Sequence, residues 1–229
     1  INLKKVDISK IQDLDEVSFK NVDWVFHLAG IADIVPSIQN PDKYFSSNVL
    51  GTLNILEKLR VKYKKIPLVY SSSDKAYGEL EKKYYFEDDK LNAIYPYDTS
   101  KSSSDLICQS YSKTYGLKIG IIRSANIFGP YDFNLSRIVP ETIVNSLKKK
   151  KLIIRSNGKM KRDYIYVDDV CRAYYLTYLK LKNSKEKLLI YNTGSNNNLT
   201  TIQIIKKIFK ILKIKPNFKI QNTSKREIK

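Results

Sequence analysis

The chain has 229 residues, of which 42% are hydrophobic, a composition typical of folded globular proteins and not of disordered ones. This length is enough for one α/β domain, or for one domain with a small additional lobe. No apolar run approaches the ~18 residues of a membrane-spanning helix. Residues 1–10 alternate apolar and polar side chains, unlike a signal peptide. The sequence therefore predicts a cytoplasmic protein with no membrane partner.

The formal charge is +18, from 41 Lys and Arg against 23 Asp and Glu. Such an excess has two interpretations: nucleic-acid binding, or a lysine-rich surface facing solvent. The basic residues are spread along the chain, with the densest run at 148–151, and no zinc-finger, helix-turn-helix or RNA-binding pattern accompanies them. We therefore predict no nucleic-acid partner and expect the charge to attract an anionic small ligand.

The residues that bind metals or form disulfides are few. Cys108 and Cys171 have no CxxC partner and no neighbouring histidine, which indicates reduced thiols. His27 is the only histidine, so a histidine triad or a multi-histidine metal site is excluded. The acidic loop 78–95 is interpreted as a solvated loop, in preference to a metal site. The sequence predicts no metal.

Predicted strands and helices alternate along the chain. In chain order, the predicted strands are 22–28, 67–71, 117–122, 152–154, 164–167 and 188–192. The predicted helices are 40–63, 96–115, 136–149, 168–181 and 199–212. This alternation is typical of repeated βαβ units and predicts a doubly wound parallel sheet. Elements become shorter after residue 130, which predicts a core at 1–130 and, at 131–229, mainly a small irregular lobe with elements that return to the core.

Tyr97 and Lys101 stand four residues apart at the start of a predicted helix, which puts phenol and ammonium on one face. A nearby ammonium lowers the pKa of a tyrosine and makes it a usable base near neutral pH. The spacing alone could arise by chance. It gains weight from the strand before this helix, which ends in the polar run 71–75, Ser-Ser-Ser-Asp-Lys.

Six motifs occur in order: HLAG at 27–30, NVLGT at 48–52, SSSDKAYG at 71–78, YxxxK at 97–101, RxxNxxGP at 123–130 and RDYIYVDD at 162–169. Each is weak alone, but the ordered series resembles the extended short-chain dehydrogenase family of NAD-dependent nucleotide-sugar epimerases and dehydratases. The similarity covers roughly residues 22–212. It implies a Rossmann-like, dinucleotide-binding core followed by a substrate-binding lobe.

The resemblance assigns roles to individual residues. Tyr97 is implied to be the base at the sugar 4-hydroxyl, with Lys101 lowering its pKa and Ser73 hydrogen-bonding the same hydroxyl. The cofactor, NAD with NADP as the alternative, is implied to contact Asp7, Ile8, His27, Ala29, Gly30, Asn48, Tyr97 and Lys101. The nucleotide-diphosphate sugar is implied to contact Ser73, Asn126 and Arg162. From its residues alone, His27 is more readily a packed, hydrogen-bonded strand residue than a base.

One family motif is absent. The family opens with a strand and a GxxGxxG turn that holds the cofactor pyrophosphate, and none of the eight glycines here forms it. Residues 6–8 resemble the family's third strand. The resemblance therefore implies an N-terminally incomplete Rossmann-like fragment, lacking the GxxGxxG unit and binding NAD poorly as it stands.

The pair Asp74-Lys75 favours one branch of the family. Removing water across C5 and C6 of a 4-keto sugar needs an acid at the 6-hydroxyl and a base at C5. The resemblance implies that Asp74 is the acid and that Lys75 assists at C5, as in the CDP-glucose 4,6-dehydratase branch. A 4-epimerase or reductase is the alternative, and a non-catalytic NAD-binding member is a third possibility. The resemblance also implies a homodimer through the helices 40–63 and 96–115.

Overall fold

The computed structural model describes residues 2–79 and 84–223. Residues 80–83, in the predicted acidic loop, lie outside this description. Among the described helices, none has the length and apolar character needed to cross a bilayer.

Helices and strands alternate along the described chain and are numbered in chain order. The helices are α1 Ile11–Asp15, α2 Ile34–Gln39, α3 Pro41–Tyr44, α4 Gly51–Lys62, α5 Pro96–Tyr115, α6 Ile138–Leu147, α7 Val167–Asn183 and α8 Thr201–Ile211. A π-helical turn, Phe45–Leu50, joins α3 to α4, and a 3-10 helix, Asp74–Tyr77, follows β2. The strands are β1 Val25–His27, β2 Leu68–Ser73, β3 Ile119–Ser124, β4 Asn126–Phe128, β5 Leu152–Ile154, β6 Lys161–Arg162, β7 Tyr164–Tyr166, β8 Leu188–Thr193, β9 Leu199–Thr200 and β10 Phe218–Ile220.

The central sheet is parallel and has the strand order β1-β2-β3-β8. β2 and β3 pair from Leu68–Ile119 to Ser73–Ser124, so the two strands end level with each other. The helices α4 and α5 follow β1 and β2, and α7 precedes β8. This arrangement confirms the predicted parallel α/β fold of Rossmann-like type.

The two central strands, β2 and β3, are buried on both faces, which explains why their apolar residues form continuous runs in the sequence. Alternate residues, including Leu68 and Tyr70, pack into one core with Leu56 of α4 and Cys108 of α5. The opposite face is covered by the later turns of α7. A Cβ on Gly120 would lie 2.4 Å from Thr177 Cγ2, so only glycine lets α7 approach β3 this closely.

The chain divides into two compact units. The first holds residues 1–124 and 171–193, and the second holds residues 125–170 and 194–229. The segment 171–193, with most of α7 and all of β8, therefore returns to the unit that contains the central sheet. The assignment of the second unit to substrate binding stays a prediction.

The second unit is built from short strand pairs around a small apolar core. β4 pairs with β7 and β5 with β10, both in parallel, while β6 and β9 are antiparallel. Leu152, Ile154, Ile205 and Phe209 form its core. Thr200 starts α8 with a capping box to Gln203, as the predicted helix start at 199–200 required.

Two strand predictions need correction. Residues 6–8 form no strand, because the Asp7 carboxylate instead accepts hydrogen bonds from the backbone N–H and hydroxyl of Ser9, which starts a turn. The predicted strand 22–28 is shorter and less buried than expected. β1 is an edge strand among the described residues, and Phe26 and Leu28 are 36% and 62% exposed.

Candidate active site

Within the first unit, the carboxyl ends of β1 and β2 meet the first turns of α5. In parallel sheets this edge is where side chains from separate strands converge. α5 begins with Pro96 at its first position, where a backbone N–H would have no partner within the helix, so proline is tolerated there. It therefore presents Tyr97 and Lys101 from its first two turns, beside the end of β2.

Lys101 lies in the interior and is only 6% exposed. Its ammonium donates a 2.7 Å hydrogen bond to the carbonyl oxygen of Ser71 and lies 5.3 Å from the centre of the Tyr70 ring. Burial lowers the pKa of Lys101 from 10.5 to about 8, and the neighbouring Cys108 and Asp105 oppose that shift. The amine is thus fixed at the end of β2 with a proton that it can exchange near neutral pH.

Tyr97 is also buried, at 7% exposure. Its ring packs edge-on against Tyr44 of α3, with the centroids 6.3 Å apart. Its backbone N–H donates to the hydroxyl of Ser37 in α2, and its carbonyl accepts from the hydroxyl of Ser100. These contacts fix the first turn of α5 and leave little freedom to the ring.

Ser73 ends β2 and caps the 3-10 helix that follows. Its hydroxyl accepts from the backbone N–H of Lys75 at 3.2 Å and donates to the Asp74 carboxylate at 3.1 Å. Lys75 is 7% exposed, so its side chain does not extend into solvent. The burial of Lys75 excludes a lysine that simply faces solvent at this position.

Asn48 connects the loop after β1 to α5. Its side-chain oxygen accepts from the Ile31 N–H at 2.8 Å, and its side-chain nitrogen donates to Ile31 O and to the Ser100 hydroxyl. It lies in the π-helical turn, a geometry found often at functional sites. A Cβ on Gly30 would lie 2.9 Å from Asn48 Oδ1 and 3.7 Å from Lys101 Nζ. The structure thus brings Gly30, Asn48 and Lys101 together.

His27 is buried at the end of β1 and does not act as a free base here. Its Nε2 lies 2.8 Å from the Thr52 hydroxyl, and its ring packs 5.3 Å from that of Tyr70. Burial, with a smaller effect of the Lys101 charge, lowers the pKa of His27 from 6.5 to about 3. The imidazole is therefore neutral and structural, as its position in the sequence indicated. Ala29, two residues on, is exposed at the same sheet edge.

The other predicted ligand residues lie elsewhere. Asp7 is exposed in its turn, while Ile8 packs on Gly51, where a Cβ would come within 2.7 Å of the Ile8 side chain. Asn126 and Arg162 belong to the second unit. Asn126 donates from its backbone and its side chain to the Asp163 carbonyl, which fixes it beside β7. Their roles toward a cofactor or a substrate stay predictions.

Sequence reasoning missed one charged pair beneath the site. Arg123 of β3 and Asp105 of α5 form a two-point ion pair at 2.9 and 3.0 Å, and both are almost wholly buried. The available signal was a charged residue within an apolar strand, since a buried arginine requires a buried partner. Arg123 stands in the RxxNxxGP motif, and nothing in the local sequence marks Asp105 as its partner.

The edge fits the nicotinamide end of a dinucleotide. Gly30 leaves open the space that a Cβ would fill between Asn48 and Lys101. Lys101 Nζ uses one hydrogen-bond donor on Ser71 O and, as an ammonium, carries three. A small residue at a strand end and a fixed donor beside it are what close approach of a ribose requires.

Comparison with known proteins shows the family to which the chain belongs. The model of the NAD dependent epimerase/dehydratase family matches residues 1–194. A UDP-glucose 4-epimerase of Mycoplasma genitalium is 32% identical over 82% of the chain, and a dTDP-glucose 4,6-dehydratase of Neisseria meningitidis is 30% identical over 91%. This chain belongs to the NAD-dependent epimerase/dehydratase family of extended short-chain dehydrogenases.

Solved structures show the same fold. A Bacillus anthracis dTDP-glucose 4,6-dehydratase in complex with NAD superposes with a TM-score of 0.81, at 30% identity, covering 94% of this chain and 66% of that one. A Thermotoga maritima UDP-glucose 4-epimerase with UDP-glucose gives 0.83 at 28% identity, covering 97% and 72%. The chain spans 61% of the length of each of the two curated relatives named above.

Proposed function

We propose that the protein is an NAD-dependent nucleotide-sugar 4,6-dehydratase, which converts a nucleotide-diphosphate hexose to its 4-keto-6-deoxy product through transient oxidation at C4. The observation that carries the proposal is the pairing of two residue sets at one sheet edge. Tyr97 and Lys101 come from α5, while Ser73 ends β2 and Asp74 and Lys75 begin the 3-10 helix that follows it. The first pair suits oxidation of an alcohol, and Asp74-Lys75 suits elimination of water.

The oxidising half needs a base at the 4-hydroxyl. Tyr97 takes the proton of that hydroxyl, and the adjacent Lys101 favours the phenolate. Ser73 hydrogen-bonds the same 4-hydroxyl and orients it toward Tyr97. When bound, NAD would supply a nicotinamide that takes up the hydride from C4 and returns it to C6, so that C4 is oxidised, C6 is reduced and the cofactor ends in its starting oxidation state. Gly30, Asn48 and Lys101 would hold its ribose end.

The dehydrating half acts on the 4-keto sugar, whose C5 proton has become acidic. Lys75, which is 7% exposed, assists removal of that proton. Asp74, protonated, delivers its proton to the 6-hydroxyl, which leaves as water. The Ser73 hydroxyl, which donates to Asp74, keeps that carboxyl at the strand end between the two halves.

The remaining parts of the proposed function rest on the family resemblance. Asn126 and Arg162 would contact the nucleotide diphosphate, where an arginine fork is suited to phosphate oxygens. NADP is the alternative cofactor, and a CDP-sugar is the substrate that Asp74-Lys75 favours. We also propose a homodimer through α4 and α5. The location is proposed to be the reducing cytoplasm, which is consistent with the unpaired Cys108 and Cys171.

A 4-epimerase is the second candidate, because a curated relative at 32% identity has that name. Epimerisation would use Tyr97, Lys101 and Ser73 in the same way and would leave Asp74-Lys75 without a role. A non-catalytic NAD-binding protein is less well supported, since Tyr97, Lys101 and Ser73 are all present and held in place.

One assay separates these possibilities. The complete protein is incubated with NAD and a panel of CDP-, UDP-, dTDP- and GDP-hexoses, and the products are analysed by mass spectrometry. Loss of one water with a keto product supports the dehydratase. A product of unchanged mass with inverted C4 identifies an epimerase, and no turnover of any sugar contradicts both. Tyr97→Phe is the control variant, in which either activity should disappear.

A further inference from the structure

Tyr77 is the last residue of the 3-10 helix that carries Asp74 and Lys75, and its hydroxyl lies in a polar network. Arg123 Nη1 donates to that hydroxyl at 2.8 Å. The hydroxyl donates to the side-chain oxygen of Asn192 in β8 at 2.7 Å and lies 3.0 Å from the Phe86 carbonyl oxygen. One phenol therefore joins the 3-10 helix to three further parts of the first unit: β3, β8 and the segment around Phe86.

The arginine that holds this phenol is itself immobilised. Arg123 forms two hydrogen bonds to Asp105 in α5, and its guanidinium also lies over the Tyr77 ring, 4.9 Å from the ring centre. The Ser72 hydroxyl donates to the same carboxylate at 2.6 Å. β2, β3 and α5 are thus tied to one buried charge pair, and Tyr77 is the contact through which that pair reaches the 3-10 helix.

The same network holds the segment that follows the 3-10 helix. Arg123 Nη1 also donates to the Glu87 carbonyl at 2.9 Å. The Glu87 carboxylate accepts from the backbone N–H of Asn192 at 2.8 Å, and the Asn192 side chain donates to the Tyr85 carbonyl. Hydrogen bonds between side chains and backbone groups therefore hold residues 85–87 against the carboxyl ends of β3 and β8.

The 3-10 helix needs such an anchor because it is only four residues long. Its own hydrogen bonds include those from Lys75 N to Ser73 Oγ and from Gly78 N to Lys75 O. A single turn of this kind has poor hydrogen-bond geometry and little intrinsic rigidity. Gly78 then leaves the helix at φ 85°, and a Cβ there would lie 2.2 Å from Asn92 O, so the chain beyond it is tightly constrained as well.

We propose that Tyr77, held by Arg123, is a positioning residue for the dehydration step: it sets the orientation of Asp74 and Lys75 toward C5 and C6 of the sugar. This inference rests on the proposed function. Tyr77 lies at one end of the 3-10 helix and Ser73 caps the other. Loss of the Tyr77 contact therefore releases the helix at one end and lets Asp74 and Lys75 turn, while Tyr97 and Lys101 remain fixed on α5.

The test is Tyr77→Phe in the complete protein, which removes one hydroxyl and leaves the ring. Oxidation at C4 is followed by the absorbance of the reduced nicotinamide in a single turnover, and dehydration by mass spectrometry. We expect dehydration to fall at least about tenfold while oxidation stays within about twofold, so that the 4-keto hexose accumulates. Tyr191→Phe, a neighbouring tyrosine of β8 whose hydroxyl contacts only the exposed Lys180 among the described hydrogen bonds, is the matched control.

Arg123→Lys provides a second variant, since it keeps a cation near Asp105 but loses the fork that reaches Tyr77. Removing the cation altogether would leave Asp105 as an unpaired buried charge and is expected to unfold the protein. Hydrogen exchange without cofactor supplies an independent readout: residues 74–78 and 84–89 should exchange faster in Tyr77→Phe than in Tyr191→Phe.

The outcomes are distinct. If the wild type dehydrates the sugar and the ratio of dehydration to oxidation is unchanged in Tyr77→Phe and in Arg123→Lys, the positioning role alone is overturned. A wild type that only inverts C4 overturns the proposed dehydration and this inference with it. Equal loss of both half-reactions would also contradict it, because the network would then support the whole site and not the 3-10 helix.

Discussion

Lys101 and Ser71 are joined by a 2.7 Å hydrogen bond from the ammonium of α5 to the last part of β2. The bond fixes the amine against the sheet. Because Tyr97 lies one helical turn before Lys101, the distance between the proposed base and the sheet edge is set by this one contact and by the start of α5.

The buried Lys101 should make stability depend on alkaline pH. Its pKa is lowered from 10.5 to about 8, so between these values the unfolded chain holds a proton that the folded chain has released. Stability therefore rises with pH across this window. The free energy of unfolding of the wild type relative to Lys101→Met should rise by about 2–3 kcal/mol between about pH 7 and about pH 10. Urea unfolding measures it, and the exposed Lys113→Met is the control.

The single histidine should titrate far below its usual range. The pKa of His27 is lowered from 6.5 to about 3, chiefly by burial, so an NMR titration should show a neutral imidazole at about pH 5. As pH falls from 6.5 toward 3, the unfolded chain gains the proton first, and stability is lost. Between about pH 7 and about pH 4, the free energy of unfolding of His27→Gln should fall by about 2–4 kcal/mol less than that of the wild type. A midpoint near 6.5 would contradict the burial seen here.

Asp74 should be required for one half-reaction only. Asp74→Asn keeps the size of the side chain but cannot deliver a proton to the 6-hydroxyl, so we expect dehydration to fall by at least about 100-fold. Oxidation at C4 should continue, because Tyr97 and Lys101 are unchanged. The reduced nicotinamide and the 4-keto hexose are the species to measure. Dehydration that survives the change would show that another group is the acid.

The packing of α7 on β3 should not tolerate a methyl group at Gly120. The added Cβ would lie 2.4 Å from Thr177 Cγ2, so Gly120→Ala should lower the free energy of unfolding by about 1–3 kcal/mol. Thr177→Ser removes that methyl and keeps the hydroxyl that donates to Ala173 O. The double variant should recover part of the loss in a double-mutant cycle. Strict additivity of the two changes would mean that the contact is not the cause.

Much of the fold could be predicted because local pattern and tertiary packing agree. The helix 96–115 was predicted at its observed bounds, with proline at the start and the left-handed Gly116 at its end. The helix 40–63 was also correct, although its π-helical turn left no sequence signal. The resemblance of residues 6–8 to a strand does not hold, because Asp7 and Ser9 form a short Asp-X-Ser turn there.

The candidate site was predicted in part. Tyr97, Lys101 and Ser73 stand in motifs of recognisable spacing, and spacing is a sequence property. The Arg123–Asp105 pair was not found, because its members are 18 residues apart and meet only when α5 packs on β3. The contacts of Tyr77 with Asn192, 115 residues away, have the same origin. Partners of this kind depend on the folded topology, not on local sequence.

In the helix from Pro41 to Lys62, the π-helical turn determines the position of Asn48. Each hydrogen bond in such a turn spans five residues and not four, so the turn holds one residue more than α-helical bonding would. Deleting one residue from Phe45–Leu50 would restore α-helical bonding and rotate the segment before it by about 100° relative to α4. Either Asn48 would then lose Ser100 and Ile31, or α3 would lose its contact with α5. The number of residues in this helix is therefore as strictly fixed as the identity of any one of them.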